Sequence, residues 1–207
     1  MTDGVSQTDG RSARRERNRT AVLDAYRELV FGGTIDPTFE QIAEHAGVSF
    51  RSVYRYFDNR DALKAAIAER ALEWIQPLLE SSTSTVAPGG PLTDRVDALI
   101  ASRLAFFENI AEIARVASAN HGSNAAYAPN IAAVRDLFRE QVVGVFSPEL
   151  AAVVDDTAEL RITAITQIVS VPAIDFLFTA AAHTTEELSV VMRLQLLAVI
   201  NEPSLKP

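Results

Sequence analysis

The sequence predicts an all-α fold of about nine helices. Apolar side chains recur at intervals of three and four residues along most of the chain, which is the spacing of one face of a helix. Two capping boxes, Thr38-Phe39-Glu40-Gln41 and Thr184-Thr185-Glu186-Glu187, are typical of helix starts. No stretch alternates apolar and polar residues for long, as a half-buried strand would.

Four helices are predicted before residue 81. A Gly-, Ser-, Thr- and Asp-rich tail over residues 1–11 is expected to be disordered. The helices after it are expected at about 12–31, 38–46, 49–57 and 59–80. Their boundaries follow from Gly32-Gly33 and Gly47 as stop signals, and from Thr38 and Ser49 as caps.

Five further helices are predicted after a loop at 81–91, where glycine and proline are frequent. Their expected ranges are 91–107, 110–119, 130–146, 155–182 and 184–200. Ser147-Pro148-Glu149 indicates a brief turn before the fourth of these, and Pro172 is expected to kink that helix.

Charge is unevenly distributed along the chain. Residues 11–64 carry ten basic and eight acidic side chains, whereas residues 71–207 carry eight basic and sixteen acidic ones. The chain as a whole has a net charge of −8, so a general affinity for nucleic acid is not expected. The asymmetry fits a DNA-reading head on an acidic body, and it fits chance equally well.

Composition also indicates the cellular compartment in which the protein is expected. The chain has no cysteine, which excludes disulfides and thiolate metal sites and favours a cytoplasmic location. The polar, arginine-containing first 20 residues do not resemble a secretory signal. The longest apolar run, Ile162–Ala182, is interrupted by polar residues, so no membrane helix is expected.

The segment Thr38–Phe57 has the size of a helix-turn-helix, with Gly47 at the turn. In its second helix Val53 and Phe57 are four residues apart and are expected to face the core. The opposite side then presents two arginines and two aromatic rings, namely Phe50, Arg51, Tyr54 and Arg55. Such a face suits the major groove, but spacing alone would also allow an ordinary solvated helix.

The run TFEQIAEHAGVSFRSVYRYFDNRDAL resembles the N-terminal signature of the tetracycline-repressor (TetR) family. The pattern is approximately T-x-x-x-I-A-x-x-A-G-V-S-x-x-x-[LVI]-Y-x-[HY]-F-x-x-[KR]-x-x-L. The matching residues are Thr38, Ile42, Ala43, Ala46, Gly47, Val48, Ser49, Val53, Tyr54, Tyr56, Phe57, Arg60 and Leu63. The resemblance covers about 50 residues, from Arg14 to Leu63. It departs at Arg51, where many members have glycine, and at Arg60, where lysine is commoner.

The resemblance implies which residues contact DNA. Those expected at phosphates are Thr38, Tyr54, Tyr56, Arg60 and, more weakly, Lys64, and Ser49 is also expected to contact DNA. Those expected nearest the base edges are Phe50, Arg51, Ser52 and Arg55. A phosphate beside Arg60 would also be favoured by the free N–H groups of a helix start. The arginines of the N-terminal arm could add minor-groove or backbone contacts, or could simply make the tail soluble; they are Arg11, Arg14, Arg15, Arg17 and Arg19.

Beyond residue 70 the resemblance implies architecture alone. Family members form homodimers through their last two long helices, here about Asp156–Ala182 and Thr184–Ile200. These helices carry more apolar residues than one buried face needs: Leu160, Ile162, Ile165, Ile168, Val169, Ile174, Leu177, Leu188, Val191, Leu194, Leu197 and Val199. The pattern fits either core or interface. A dimer would address the two half-sites of a palindromic operator.

The resemblance also implies a small-molecule pocket in the body. Candidate lining residues are Trp74, Phe106, Phe107, His121, Asn124, Tyr127, Phe138 and Phe176. Each of them taken alone is more often a core or loop residue. An alanine-rich bundle leaves room between helices, so an apolar or neutral ligand of unknown identity is expected. Its binding is expected to move the fourth helix and thereby to weaken DNA binding.

An enzyme is not expected, and neither catalytic residues, nor a metal, nor a cofactor is predicted. The three histidines, His45, His121 and His183, have no metal or triad spacing. Asp155, Asp156 and Glu159 are more simply helix-start acids. The sequence therefore predicts a tail (1–11), a helix-turn-helix DNA-binding domain (12–63) and a ligand-binding and dimerisation bundle (64–207). The expected function is a repressor released by its ligand. The alternative is a helical small-molecule carrier or adaptor without specific DNA binding.

Overall fold

The computed structural model describes residues 5–84, 86, 89–120, 128–153 and 157–202. All regular elements among them are α-helices, which confirms the predicted fold class. The ten helices are α1 (Val5–Phe31), α2 (Phe39–His45), α3 (Phe50–Tyr56), α4 (Arg60–Ser84), α5 (Leu92–Asn120), α6 (Ala128–Val145), α7 (Ser147–Ala151), α8 (Ala158–Ile168), α9 (Val171–Thr179) and α10 (Thr185–Asn201).

The chain folds as two compact units. Unit 1 comprises the described parts of Met1–Leu72 and Glu112–Ala128. Unit 2 comprises the described parts of Glu73–Ala111 and Pro129–Pro207. The predicted functional division after Leu63 stays a prediction.

Unit 1 is built on the packing of α1 against α2 and α3. Val22 and Tyr26, one turn apart on α1, are buried together with Ile42 of α2 and Val53 of α3. The i, i+4 spacing of the α1 pair gives one apolar stripe, as the sequence predicted. A contact of 2.8 Å between His45 Nε2 and the Glu28 carboxylate joins α2 to α1 at the surface.

Unit 2 has a larger apolar core, to which α5, α6, α8, α9 and α10 all contribute. Its members are Val86, Val96, Leu99, Ile100, Leu104, Phe107, Val142, Val145, Phe146, Ile165, Val169, Ile174, Leu188, Met192 and Leu196. α10 packs against both α8 and α9. The buried Arg161 of α8 donates to the carbonyls of Val199 and Glu202 at 2.9 and 2.5 Å, so it satisfies acceptors that the end of α10 leaves unpaired.

A second buried arginine fastens α7 to α5. Arg95 donates from two nitrogens to the Glu149 carboxylate, at 2.9 and 2.5 Å, and also to the Val145 carbonyl. Hydrogen bonding from Arg95 lowers the pKa of Glu149 and outweighs the effect of burial. The pair is therefore ionised throughout the neutral range.

Two helix boundaries in the N-terminal half of the chain differ from the prediction. α1 begins at Val5, within the segment predicted to be a disordered tail. Residues 5–11 contain no proline and only one glycine, so nothing prevents the helix from extending backward. Further along, α5 is one helix of 29 residues where two were predicted. Asn109, at the expected break, donates to the Ala105 carbonyl of its own helix at 2.7 Å.

The long helix predicted to span residues 155–182 is two helices, α8 and α9. They meet at an angle of 44° across Val169 and Ser170. Ser170 has extended backbone and caps α9 by accepting from the N–H of Ala173. Pro172 therefore occupies the first turn of a new helix, where its missing N–H costs nothing. The expected kink is a complete stop and restart.

Within the described ranges, no single helix combines the length and the apolarity needed to cross a membrane. The bent pair α8 and α9 meets those criteria jointly, on length and composition alone.

Candidate nucleic-acid interface

Two short helices and a tight turn form the centre of the site. The Thr38 hydroxyl accepts from the N–H of Gln41 at 3.2 Å, and the Gln41 side chain accepts from the N–H of Thr38 at 2.8 Å. This is the predicted capping box of α2. Ser49 caps α3 in the same way by accepting from the N–H of Ser52. Both helices are only seven residues long, so the capping hydrogen bonds are a large share of the local interactions that stabilise them.

The turn between α2 and α3 depends on Gly47, whose φ is +64°. This left-handed conformation lets the N–H groups of Gly47 and Val48 reach back to the carbonyls of Glu44 and Ala43, at 3.2 and 3.0 Å. The direction in which α3 leaves α2 is set here.

We expect Gly47→Ala to lower the free energy of unfolding by about 1–2 kcal/mol, because an L residue is strained in the left-handed region. The added Cβ would meet no atom within 4 Å, so the loss comes from backbone conformation alone. The matched control is Gly144→Ala in α6, where space is equally open but φ is not positive. It should leave stability unchanged or raise it by about 0.5 kcal/mol. Urea unfolding followed by circular dichroism measures both, and equal effects would contradict the prediction.

The outward face of α3 has the composition predicted from the sequence. Val53 is fully buried and Phe57 nearly so, whereas Phe50, Arg51, Tyr54 and Arg55 are exposed. The Tyr54 ring makes edge-on contacts with the rings of Phe39 and Phe50, with centroids 4.8 and 4.9 Å apart. These contacts fix the position of the ring on the surface, where Tyr54 is 48% exposed.

The two arginines of α3 differ in their surroundings. Arg51 makes no hydrogen bond or ion pair within the described part of the chain. Arg55 donates to the Tyr56 hydroxyl at 3.1 Å and lies over that ring. Arg51 is thus available to an outside acceptor without breaking an internal bond.

Tyr56 lies at the junction of α3 and α1. Its hydroxyl accepts from Asn18 of α1 at 3.2 Å as well as from Arg55. Burial raises the pKa of Tyr56, but the donors Arg55 and Asn18 and the charges of Arg55 and Arg15 outweigh it, and the pKa is lowered. The cluster is therefore electropositive.

The remaining predicted polar residues are bonded within the chain. Ser52 is half-buried, and its hydroxyl lies 2.8 Å from that of Ser49. Arg60 donates to the Asp36 carboxylate at 3.0 Å and to the Pro37 carbonyl at 3.1 Å. Lys64 Nζ lies 4.0 Å from the same carboxylate. Asp36 could not be recognised from the sequence, because an ion pair between residues 24 positions apart depends on the fold.

The N-terminal arm continues the basic surface. Arg11, Arg14, Arg15 and Arg17 are exposed on α1. Arg19 instead lies over the Phe57 ring, 5.3 Å from its centroid, and so packs on the core of unit 1. The arm is helical here, and its arginines are carried on α1 rather than on an extended tail.

The pocket candidates belong to unit 2 or lie outside the described residues. Phe106 and Phe138 are buried, and their rings are in edge-on contact at 5.2 Å. Phe107 is buried in the core and Trp74 is half-buried on α4. Phe176, in contrast, is 62% exposed. His121, Asn124 and Tyr127 lie outside the described residues.

Comparison with known proteins matches this surface to a family. Residues 23–70 match the model of bacterial regulatory proteins of the tetR family. The HTH-type transcriptional regulator RutR of Escherichia coli strain K12 is 37% identical over 38% of this chain and 38% of its own length. RutR of Shigella flexneri matches to the same extent. The chain thus spans well under half of the length of these relatives.

Solved structures match over nearly the whole chain. A transcriptional regulator from Rhodococcus sp. Rha1 has a TM-score of 0.62 at 19% identity and covers 93% of this chain and 99% of its own. A TetR transcription regulator from Haloarcula marismortui has a TM-score of 0.61 at 19% identity and covers 89% and 96%. At this identity the likeness concerns the fold alone. The helix-turn-helix segment of this chain, residues 23–70, thus matches the tetR family of bacterial regulatory proteins.

Proposed function

We propose that this protein is a sequence-specific DNA-binding transcriptional regulator that acts as a homodimer and is released from its operator by a small molecule. The observation that carries the proposal is the outward face of α3. It presents Arg51, which is unpaired among the described residues, beside Arg55, Tyr54 and Phe50. Ser49 caps this short helix, because its hydroxyl and its carbonyl both accept from the N–H of Ser52. A guanidinium in that position can pair bidentately with the O6 and N7 atoms of guanine.

Phosphate contacts would surround that reading face. The Tyr54 hydroxyl, the Thr38 hydroxyl hydrogen and the N-terminal N–H groups of α2 and α3 are suitable donors. Tyr56 lies in an electropositive cluster with Arg55 and Arg15. Arg60 can contribute only if its bond to Asp36 is broken or shared, since that carboxylate lies beside it.

This pairing leads to a prediction for Asp36→Asn. Removal of the carboxylate releases Arg60 and Lys64 and removes a repulsive charge near phosphate, so DNA should bind roughly twofold to fivefold more tightly at low salt. The plot of log affinity against log salt should steepen by about one released counterion. Fluorescence anisotropy over a salt series measures both quantities.

Asp136→Asn in unit 2 is the matched control, because Asp136 is exposed and paired with Arg135 at 3.0 Å. It should change neither the affinity nor the slope. Weaker binding by Asp36→Asn would mean instead that the carboxylate positions Arg60 for its phosphate.

Dimerisation is supported by apolar side chains that unit 2 leaves exposed on its last three helices. Leu160 of α8 is 62% exposed, and Leu194 and Val190 of α10 are 66% and 54% exposed. Phe176 and Phe178 add exposed rings on α9. Large apolar groups that remain outside the core of a folded unit are typical of an interface.

Release by a ligand is the mechanism we propose for regulation. A ligand that weakens DNA binding must itself be bound more weakly when DNA is present, and by the same factor. The buried ring pair Phe106 and Phe138 supports a ligand site in unit 2. Simultaneous binding of DNA and ligand with unchanged affinities would refute this part of the proposal.

The experiment that tests the function is the selection of bound fragments from the source genome by the purified full-length chain at physiological salt. Enrichment of a palindrome is the expected result, since a dimer presents two copies of α3. A folded dimer that enriches no sequence would refute the proposal and favour a helical small-molecule carrier or adaptor.

A further inference from the structure

Unit 2 buries a charged side chain that no acid among the described residues neutralises. Arg103 of α5 is 1% exposed and is the largest fully buried side chain among the described residues. It forms no ion pair within the described ranges. A buried cation without a counter-ion is costly, so its retention in a core position calls for a partner of opposite charge.

The hydrogen bonds of Arg103 leave most of its donors unused. One terminal nitrogen donates to Gln141 Oε1 of α6 at 2.5 Å, and the other donates weakly to the Ser82 hydroxyl of α4 at 3.2 Å. The buried Nε has no hydrogen-bond partner in the part of the chain that the structure describes. A guanidinium has five N–H groups, and only two of those of Arg103 are bonded among the described residues.

The surroundings of the guanidinium combine polar anchors with aromatic rings. It lies 3.6 Å from the centroid of the Phe138 ring, which in turn contacts Phe106. Ser82 and Gln141 are themselves held, since Ser102 donates to the Ser82 carbonyl at 2.7 Å and Gln141 donates to it at 3.0 Å. Hydrogen bonds among α4, α5 and α6 thus hold the guanidinium against the Phe138 ring.

Arg103 stays positively charged over the physiological pH range. Burial lowers the pKa of Arg103 to about 9, so the guanidinium remains protonated at neutral pH. The described carboxyl groups of unit 2 that form ion pairs with arginine do so elsewhere, namely Glu149 with Arg95, Asp97 with Arg193, Asp136 with Arg135 and Glu159 with Arg139.

We propose that Arg103 is the anion-binding centre of the ligand site in unit 2, and that the ligand is a small organic acid with an apolar or aromatic body. Its carboxylate would accept from the unused N–H groups, and its body would lie against Phe138 and Phe106. The inference rests on the proposed ligand release, and it replaces the apolar or neutral ligand expected from the sequence with an acid.

The test compares carboxylates with their own neutral amides on the full-length native chain. Benzoate, phenylacetate and octanoate are titrated by calorimetry beside benzamide, phenylacetamide and octanamide, with inorganic phosphate as an anion that lacks an apolar body. At least one carboxylate should bind at least about tenfold more tightly than its amide, because only the acid forms a charge-assisted hydrogen bond to the buried guanidinium. It should exceed phosphate by the same factor, because phosphate has no apolar body to lie against the rings. Equal binding of acid and amide, no binding by any acid, or equal binding of phosphate would each overturn the proposal.

Arg103→Met should remove the preference for the acid and leave amide binding unchanged. The matched control is Arg139→Met on α6, whose guanidinium is exposed and pairs with Glu159. It should keep the preference in full. DNA affinity is measured separately without any probe, so a chain that binds acids but no DNA sequence would refute the regulator function while supporting this site.

Discussion

A variant that carries both Arg51→Ala and Arg55→Ala is expected to lose specific DNA binding and to keep its fold. Each bidentate contact between arginine and guanine contributes about 1–3 kcal/mol of discrimination, so the pair should cost about 2–6 kcal/mol. Neither side chain supports the core, because both are exposed and Val53 is the buried residue of α3. Thermal unfolding should therefore change little.

The appropriate control removes two positive charges from elsewhere on the surface. Arg135→Ala with Arg139→Ala fits, since Arg135 is exposed and Arg139 half-buried on α6, and each pairs with a single carboxylate. Fluorescence anisotropy on an enriched fragment and on scrambled DNA separates specific from general binding. If the α3 variant binds the fragment as well as the control does, α3 is not the reading helix.

The second large effect is expected at the exposed apolar face of unit 2. Leu160→Glu combined with Leu194→Glu should convert the dimer into a monomer, because a dimer would bury four carboxylates without partners. Burying an unpaired charge costs several kcal/mol, and four such charges would exceed the net free energy of association of an interface of standard size. Sedimentation velocity over a range of protein concentrations measures the result.

Binding to a palindrome should fall with dimerisation, since the second half-site contact then becomes a separate bimolecular event. Leu137→Glu is the matched control, because Leu137 is an apolar residue on α6 that is 40% exposed. It should leave both the dimer and DNA binding intact. A double variant that still sediments as a dimer would place the interface on another surface.

The helix-turn-helix could be predicted residue by residue because its signals are local. The Thr38 and Ser49 caps, the Gly47 turn and the four-residue spacing of Val53 and Phe57 each act within one turn of helix. The outward set on α3 follows from that spacing alone. The structure places all of these residues as the sequence indicated.

The features that the sequence did not predict depend on contacts between distant segments. An apolar stripe on the last helices indicated core or interface, and only packing separates the buried Ile165 and Leu188 from the exposed Leu160 and Leu194. Arg103 did leave a signal. It occupies the same apolar stripe of α5 as Leu99 and Phe107, four residues to either side. A charged residue in a stripe of core residues is costly to bury, so such a position indicates that some interaction compensates the charge.

The 44° break between α8 and α9 also limits how a second copy can pack on this surface. Two straight helices can slide past each other by one turn and find nearly equivalent contacts, since their side chains repeat every 5.4 Å or so. A bent surface offers no such translation, because Leu160 and Phe176 lie on two helices whose axes differ by 44°. Ser170 and Pro172, which create the bend, would thereby select one alignment of the two subunits and exclude its neighbours.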